Sequence, residues 1–452
     1  MKSFAATHRT SPLGRFATLT GLTTSVLLLG ACGLSGGASD PVDDADGTPA
    51  AASSISVWFP GANQAEIDLV NGVIVPAFEA ENGVEVEVTF VDWGDLSPKL
   101  NAAFAAGTAP DVFGHGPAAV ADFVANDRVE DLAPYLEGLD PAVLADVSAA
   151  LPGGQVDGTQ YLVPLSVQGY LVAYDADAFV AAGLDPDDPP QTWEELRVAA
   201  EALTVRDGGT VQRAGILLPT NAIGAEQSFA NLLVGAGGSL VDDGAAAFDS
   251  PEGLEALEYF AGLYTGDEPV ASMLAEDYVN LPPAQSPLVT GGAAMAMLTA
   301  PTMRQAFEAA PDKDLRVMAP LRFEDSEEPA MFGGAGPGLM INSDSAAKDA
   351  AWDFISYLLE PEVAAQYTEG IGAVPVHASA TSSEYVAGDA VIKSFVAATP
   401  SLIPNPNVVG WVGMRDQIDA NVSEALFGRV SPADALATAA AEVDAALQEQ
   451  EG

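Results

Sequence analysis

Cys32, the single cysteine of the chain, is the residue whose surroundings predict the most definite chemistry. It follows the small residues Gly30 and Ala31, which close an apolar run that begins at Phe16. Three positive charges and no acidic residue precede that run. This order of charge, apolar run and small residues is typical of a secretory signal peptide. The motif Leu29–Cys32 (LGAC) also resembles the bacterial lipobox, and this resemblance implies removal of residues 1–31 and attachment of a diacylglycerol to the Cys32 sulfur.

The lipidated thiol would fix where the mature protein lies. Residues 32–54 are mostly Gly, Ser, Ala, Asp, Thr and Pro, a composition that predicts a flexible tether. No later stretch reaches the eighteen or more apolar residues of a membrane-spanning helix. We expect a protein on the outer face of the cytoplasmic membrane that is attached through its lipid alone. An ordinary secretory signal that happens to precede a cysteine is the alternative.

Other chemistry is poorly represented in this sequence. The three histidines show no metal-ligand spacing, and no Gly-x-Ser-x-Gly elbow, phosphate loop or HExxH helix appears. We expect no metal, no cofactor and no catalytic residues. The formal charge of −48 becomes −51 once the three positive charges of the signal are removed, which argues against a nucleic-acid partner.

The elements that must position any site alternate between strand and helix. A strand at 55–59, a helix at 66–81, an alternating strand at 84–90 and a helix at 96–106 precede a third strand from Pro110. This order predicts parallel α/β layers. The same order recurs from Leu165, with a strand, a short helix and a helix that Thr192 caps. Further helices are predicted at 229–234, 251–264, 346–359 and 432–447.

Several motifs in a fixed order carry a resemblance to a known family. They are Ala106–Val112 (AGTAPDV), Gly158–Pro164 (GTQYLVP), Pro190–Leu196 (PQTWEEL), Phe248–Gly253 (FDSPEG), Gly291–Met297 (GGAAMAM) and Ala350–Ile355 (AAWDFI). In this order the chain resembles the extracellular solute-binding proteins (family 1) of carbohydrate ABC importers, which include the maltose- and glycerol-phosphate-binding proteins. The resemblance spans nearly all of residues 55–452.

The resemblance implies a fold and a mode of action. The fold is α/β and periplasmic-binding-protein-like (type II), with a hinge and a ligand cleft between two lobes. Residues 55–166 plus 338–376 would form the N-terminal lobe, and residues 167–337 plus 377–452 the C-terminal lobe. Hinge closure on a sugar would present the closed form to the permease subunits of an ABC importer. We expect a monomer that is not an enzyme.

The resemblance also places ligand contacts in loops at strand ends. Sugar hydroxyls suit carboxylates, amides and arginine, and the faces of sugar rings suit aromatic side chains. The predicted ligand-binding residues are Asn63, Trp93, Asp95, His115, Gln168, Tyr170, Glu226, Phe229, Thr302, Phe332, Gly333, Gly334, Trp411 and Arg415. Trp411 is the strongest of these predictions, because an aromatic residue among polar turn residues is a poor core position.

Some of these residues have structural alternatives. Asp95 could cap the helix that follows it, Glu226 could supply acidity at a helix N-terminus, and Arg415 could form a salt bridge. Thr302 stands where maltose-binding relatives stack an aromatic ring, and this argues against maltodextrin.

Two other functional classes stay open at this point. A secreted carbohydrate-active enzyme, such as a glycoside hydrolase, is one alternative, because paired carboxylates are plentiful among 64 acidic residues. A scaffolding lipoprotein is the other. Within the binding class, glycerol-phosphate-type and polyol ligands remain possible.

Overall fold

The computed structural model describes residues 54–450, except Ala222 and Asp267. The predicted signal peptide, Cys32 and nearly all of the tether lie outside the described residues. The strands are β1 (Ser54–Pro60), β2 (Glu85–Val91), β3 (Val112–His115), β4 (Gln155–Val156), β5 (Thr159–Gln160), β6 (Val163–Pro164), β7 (Val167–Gly169), β8 (Leu171–Asp175), β9 (Val205–Asp207), β10 (Thr210–Arg213), β11 (Val241–Asp242), β12 (Ala245–Ala246), β13 (Met295–Leu298), β14 (Leu315–Val317), β15 (Met331–Ala335), β16 (Gly338–Ile341) and β17 (Leu402–Ile403).

Helices connect and cover these strands. They are α1 (Gln64–Leu69), α2 (Val75–Asn82), α3 (Trp93–Ala106), α4 (Val120–Ala125), α5 (Ala133–Leu136), α6 (Pro141–Val147), α7 (Ala176–Ala182), α8 (Trp193–Leu203), α9 (Gly224–Gly235), α10 (Pro251–Tyr264), α11 (Pro287–Thr290), α12 (Ala300–Ala309), α13 (Lys348–Leu358), α14 (Pro361–Ile371), α15 (Glu384–Gly388), α16 (Ala390–Ala398), α17 (Trp411–Leu426) and α18 (Pro432–Gln450).

A five-stranded sheet in the order β2-β1-β3-β16-β6 organises the first core. β1 pairs in parallel with β2 and β3, whereas β16 runs antiparallel to β3 and β6. Phe59 and Phe354 are buried on one side of this sheet, and Phe113 lies in the cluster on the other side. The parallel β–α–β order predicted for residues 55–113 is confirmed.

A second core surrounds the antiparallel sheet β13-β8-β14. β8 is buried at all five positions, so both of its faces are covered. One covering cluster includes Trp193, Phe229 and Trp411, and the other includes Phe395. The two cores therefore gather residues from distant parts of the chain.

Two neighbouring segments lead from one sheet to the other. β6 belongs to the first sheet and β8 to the second, and β7 lies between them in the chain. β7 pairs with β15, whose neighbour β16 returns to the first sheet. A Cβ atom on Gly333 would lie 2.2 Å from the Gln168 carbonyl oxygen, so this pairing requires a glycine there.

Helix starts follow local capping chemistry. Thr192 caps α8 by accepting a hydrogen bond from the Glu195 backbone N–H at 3.2 Å, as predicted. Glu195 reaches back to the N–H of Gln191 rather than that of Thr192. The alternative role for Asp95 is wrong, because Asp92 caps α3 and the helix begins three residues earlier than the sequence pattern predicts.

Candidate functional site

His115 ends β3 in a fixed, uncharged form. Its Nδ1 accepts a hydrogen bond from the Gly116 N–H at 2.9 Å, so the ring proton lies on Nε2, 3.1 Å from the Ser97 hydroxyl. Burial, with a smaller contribution from the nearby Arg415 charge, lowers the pKa of His115 to about 4. His115 can therefore act as a neutral donor at the end of a strand, and its contact with ligand stays a prediction.

Trp93 leaves a large aromatic surface open beside His115. Its side chain is 46% exposed, and its ring centre lies 5.9 Å from that of His115 in an edge-on arrangement. Gly61, in a left-handed conformation, lets the indole lie against the backbone at the end of β1. Asp95, in the first turn of α3, pairs with Lys99 at 3.0 Å and is largely exposed. Trp93 therefore has the exposure that a stacking platform needs.

The first turn of α9 brings a buried carboxyl to the second core. Glu226 has no exposed surface, and its Oε2 accepts from the Gln227 side-chain amide at 2.8 Å. Burial raises the pKa of Glu226 to about 8; Arg415 and the Gln227 amide oppose the shift, while Asp419 and Asp416 add to it. The Glu226 side chain is thus protonated for much of the time at neutral pH.

Tyr170 and Gln168 continue this polar group from the crossing segment. The Tyr170 hydroxyl lies 3.2 Å from Gln227 Oε1, to which it donates. Burial raises the pKa of Tyr170 to about 12, and a hydrogen bond with Gln168 opposes that shift. Two predicted site residues therefore touch each other, and Gln227 links them to Glu226.

Arg415 stands between residues of the two cores. Its charge acts on His115 at the end of β3 and on Glu226 in α9. Its Nη2 pairs with Asp416 at 3.2 Å, so the salt bridge proposed as the alternative role is present. That pair uses one nitrogen of the guanidinium and leaves others for a ligand.

Trp411 is a core residue, which corrects the expectation that its position is a poor one for packing. Its side chain has no exposed surface and belongs to the same cluster as Phe229 and Phe332. The turn residues before it are polar, but α17 packs against α9 and α10 and encloses the ring. Contact of Trp411, Phe229 or Phe332 with ligand stays a prediction.

Three buried polar atoms on this group lack partners among the described residues. They are Glu226 Oε1, Trp411 Nε1 and Arg415 Nε. A buried donor or acceptor without a hydrogen bond costs roughly 1–3 kcal/mol, so native proteins seldom gather several of them. Glu226 lies on α9, and Trp411 and Arg415 lie one turn apart on α17, which packs against α9. A carboxyl oxygen and two N–H donors suit hydroxyl groups, which both donate and accept hydrogen bonds.

Four predicted residues lie in positions with their own structural roles. Asn63 caps α1 through a hydrogen bond from the Ala65 N–H at 3.1 Å. Thr302 lies in the first turn of α12, and its hydroxyl is 3.2 Å from that of Thr299. Gly333 and Gly334 pair with β7, and at Gly333 the backbone of β7 approaches that of β15 closely. A ligand role for these four residues stays a prediction.

Sequence reasoning missed residues that complete the group. Asp419 Oδ1 accepts a hydrogen bond from the Glu226 N–H at 3.0 Å, and burial raises the pKa of Asp419 to about 6. Asp122 in α4 accepts a hydrogen bond from the Gly410 N–H, which joins the first core to the start of α17. The spacing Trp411, Arg415, Asp419 repeats every four residues, and this helical periodicity could have identified Asp419.

Two further features of residues 54–450 concern metal sites and membrane-spanning helices. No group of three His, Cys, Asp or Glu side chains in these residues is arranged to hold a metal ion. None of the helices described is both long enough and apolar enough to cross a membrane.

Comparison with known proteins gives a consistent result. Residues 74–393 match the family model of bacterial extracellular solute-binding proteins. A binding protein of Brucella abortus is 27% identical over 379 residues, which cover 82% of this chain and 88% of that protein. The maltotriose-binding protein of Pyrococcus abyssi is 24% identical over 347 residues, covering 74% of this chain and 70% of that one.

A solved structure extends the likeness to the fold. The ABC transporter solute-binding protein of Thermotoga lettingae, bound with α-D-tagatose, superposes with a TM-score of 0.76 at 26% identity. The superposition covers 88% of this chain and 100% of the Thermotoga chain. The described residues therefore have the two-lobed α/β fold of solute-binding proteins, as the sequence predicted.

Proposed function

This chain belongs to the bacterial extracellular solute-binding proteins, and from that premise we propose that it captures a carbohydrate for an ABC importer. Membership places it outside the cytoplasm. The sugar is held between the two lobes and passed to the permease subunits. Cys32, acylated after removal of the signal peptide, tethers the protein to the outer face of the cytoplasmic membrane.

The polar group around Glu226, Trp411 and Arg415 carries this proposal. Its three unpartnered buried atoms are a carboxyl oxygen on α9 and two N–H donors on α17, two helices that pack against each other. Each hydroxyl of a sugar both donates and accepts, so adjacent hydroxyls can satisfy all three atoms together. The exposed indole of Trp93, next to His115, adds an aromatic face for a sugar ring.

The relatives support the same class of ligand. The Pyrococcus protein is named for maltotriose, and the Thermotoga structure holds tagatose. One is an oligosaccharide and the other a monosaccharide, so the length of the sugar stays open for this chain. Both relatives are binding proteins, which favours a binder over a hydrolase.

Capture requires the lobes to move. We place residues 55–166 plus 338–376 in the N-terminal lobe and residues 167–337 plus 377–452 in the C-terminal lobe. The paired strands β7 and β15 then lie at the hinge. Because Arg415 acts on residues of both cores, closure would bring His115 and Glu226 toward one ligand. The chain acts as a monomer in this scheme.

A thermal-shift screen tests the proposal. The mature protein would be heated with maltotriose, tagatose, mannobiose and other neutral sugars, each in excess. A sugar present at 100 times its Kd adds about 2.7 kcal/mol to the free energy of unfolding, which raises Tm by a few degrees. A panel of chromogenic glycosides should show no turnover. Hydrolysis of any of them that Glu226→Gln abolishes would favour the enzyme instead.

Arg415→Ala gives the screen a site-specific control. A lost charged hydrogen bond should weaken binding of the best sugar by about tenfold or more in calorimetry. Arg429→Ala is the matched variant. Arg429 lies just after the C-terminus of α17, the helix that carries Arg415, and it forms an exposed ion pair with Glu424 at 2.6 Å. Equal affinities for the two variants would place the site elsewhere.

A further inference from the structure

Two helix N-termini in the polar group are already occupied by the protein's own carboxyl groups. At the start of α17, the Gly410 N–H donates to Asp122. At the start of α9, the N–H of Glu226 donates to Asp419 at 3.0 Å, and the Ala225 N–H also bonds to Asp419. Such N–H groups, together with the helix dipole, are where proteins commonly bind phosphate and carboxylate groups of ligands.

The charges around these helix starts also oppose a further anion. Glu226, Asp416 and Asp419 surround Arg415, and Arg415 pairs with Asp416. His115 adds no positive charge, because its Nδ1 is held as an acceptor by the Gly116 N–H. An incoming phosphate ester would bring about two negative charges into this partly buried group.

The raised pKa values of three carboxyl groups also indicate that negative charge is unfavourable here. Burial raises the pKa of Asp122, raises that of Asp419 to about 6 and raises that of Glu226 to about 8. Asp419 and Asp416 further raise the pKa of Glu226. Sites that disfavour negative charge on their own carboxyl groups would disfavour it on a ligand for the same reason.

We infer that the cleft selects uncharged carbohydrates and rejects phosphorylated or acidic ones, with Asp122 and Asp419 as the residues that set this preference. The inference rests on the proposed function and narrows it. Asp122 and Asp419 fill the N–H groups that an anionic ligand would use, and they leave Glu226 Oε1, Trp411 Nε1 and Arg415 Nε for hydroxyl groups. A phosphate would have to displace one of these carboxyl groups or lie against it.

Calorimetry with matched pairs of compounds tests the preference. The pairs are glucose and glucose 6-phosphate, trehalose and trehalose 6-phosphate, and glycerol and glycerol 3-phosphate, together with any sugar from the panel that binds more tightly. Where a neutral parent binds, its phosphate ester should bind at least about tenfold more weakly. Asp419→Asn and Asp122→Asn keep an oxygen acceptor but remove the charge. Each variant should therefore lower the ratio of the Kd of the phosphate ester to the Kd of its neutral parent.

The ratio is insensitive to a general loss of folded protein, because both affinities are measured on one sample. Glu137→Gln is the matched control: Glu137 is exposed at the end of α5, and its substitution should leave the ratio unchanged. A phosphate ester that binds as tightly as its parent would overturn the inference and leave carbohydrate capture intact. If neither asparagine variant changes the ratio of the two Kd values, Asp122 and Asp419 do not set the preference. Failure of every neutral sugar to bind would instead reject the proposed function, and this inference with it.

Discussion

Trp411 packs in the second core, and its contact with a ligand is a prediction that burial alone does not test. The ring is enclosed in the second core, yet its Nε1 has no partner among the described residues. Truncation to alanine would remove a buried aromatic side chain and cost about 3–5 kcal/mol, so that variant would report on packing rather than on ligand. A smaller change is needed to isolate the N–H group.

Trp411→Phe makes that change. It keeps a buried aromatic ring but removes the N–H donor, which no described protein atom uses, and part of the indole volume. The free protein should lose about 1–2 kcal/mol through the reduced volume. If Nε1 donates to a sugar hydroxyl, affinity should fall about threefold to tenfold in calorimetry.

Trp193→Phe is the control for that experiment. Trp193 is also fully buried with an unpartnered Nε1, but this atom faces Gly235 inside the second core. The Trp193→Phe protein should lose about as much stability as the Trp411→Phe protein and should bind the sugar with full affinity. A Trp411→Phe protein with undiminished affinity would show that its indole N–H does not contact the sugar.

Glu226 predicts a distinct dependence of stability on pH. Its pKa is about 8 in the folded protein and near the ordinary 4.5 when unfolded, so the folded state holds the extra proton between these values. Its contribution to stability is therefore present below about pH 4.5 and is lost as pH rises through 8, an effect on the order of a few kcal/mol.

Glu226→Gln should remove this contribution. We expect the Tm of the variant, relative to that of the natural protein, to rise from pH 5 to pH 9 in thermal melts. The comparison must be a difference, because burial also raises the pKa of Glu66, to about 7, in the first core. A constant difference across this range would mean that Glu226 ionises normally.

At the scale of elements, Gly333 in β15 distinguishes a hinge role from a ligand role. The resemblance places Gly333 among the predicted ligand-binding residues, whereas the structure places the Gln168 carbonyl oxygen against Gly333. Gly333→Ala should therefore separate β7 from β15 and lower the Tm of the free protein, by an amount typical of overpacking, about 1–3 kcal/mol.

Gly72→Ala is a suitable companion variant. Gly72 lies within the continuous helical segment between α1 and α2, and no atom lies within 4 Å of the position that an added Cβ would take. It should stabilise the protein by roughly 0.5–1 kcal/mol. Unchanged Tm with lost sugar affinity in Gly333→Ala would restore the ligand role.

The elements show where sequence patterns suffice. The bounds of α10 are as predicted, since Ser250 caps it and Pro251 begins it, both local signals. The start of α3 was missed, because Asp92 and Asp95 are equally good caps and the choice depends on how the chain leaves β2. The burial of Trp411 could not be predicted from its neighbours, because α9 and α10, far earlier in the chain, supply the surface that encloses it.

The candidate site likewise contains residues that local sequence patterns predict and residues that they do not. His115 and Trp93 follow strands of a parallel sheet, so the sequence pattern indicated that they would lie at one edge. The helical spacing places Asp419 on the face of Trp411 and Arg415, but its hydrogen bond to the Glu226 N–H, 193 residues away, is not contained in any local pattern. The same holds for the bond between Asp122 and Gly410, 288 residues apart. Long-range backbone contacts are therefore where sequence reasoning stopped.

For the whole molecule, the tether makes a prediction about location. Cys32→Ser should leave a mature domain that folds and binds sugar normally but is released into the soluble fraction. The reason is that the acylated thiol is the proposed membrane attachment and lies well before β1. Fractionation followed by immunoblotting decides this. A serine variant that stays with the membrane would indicate a different anchor.

Closure of the two lobes is the remaining prediction at this scale. Described residues already join the two cores at the start of α17, where Gly410 bonds to Asp122, and Asn407 bonds to the carbonyl of Gln155. A compact protein of about 400 residues has a radius of gyration of about 21 Å, and an open cleft enlarges it. Small-angle scattering with the best sugar of the panel should therefore give a smaller radius than scattering without it.

Asp122→Ala sharpens this measurement. Loss of the bond to Gly410 removes one contact that favours the closed form, so the sugar-free variant should be larger than the sugar-free natural protein, and saturating sugar should reduce the difference. Glu137→Ala, an exposed carboxylate removed from the end of α5, should scatter like the natural protein. If a sugar that binds by calorimetry leaves both scattering curves unchanged, the lobes do not rotate on binding. The site would then have to admit its ligand without opening, through a path other than the cleft between the two cores.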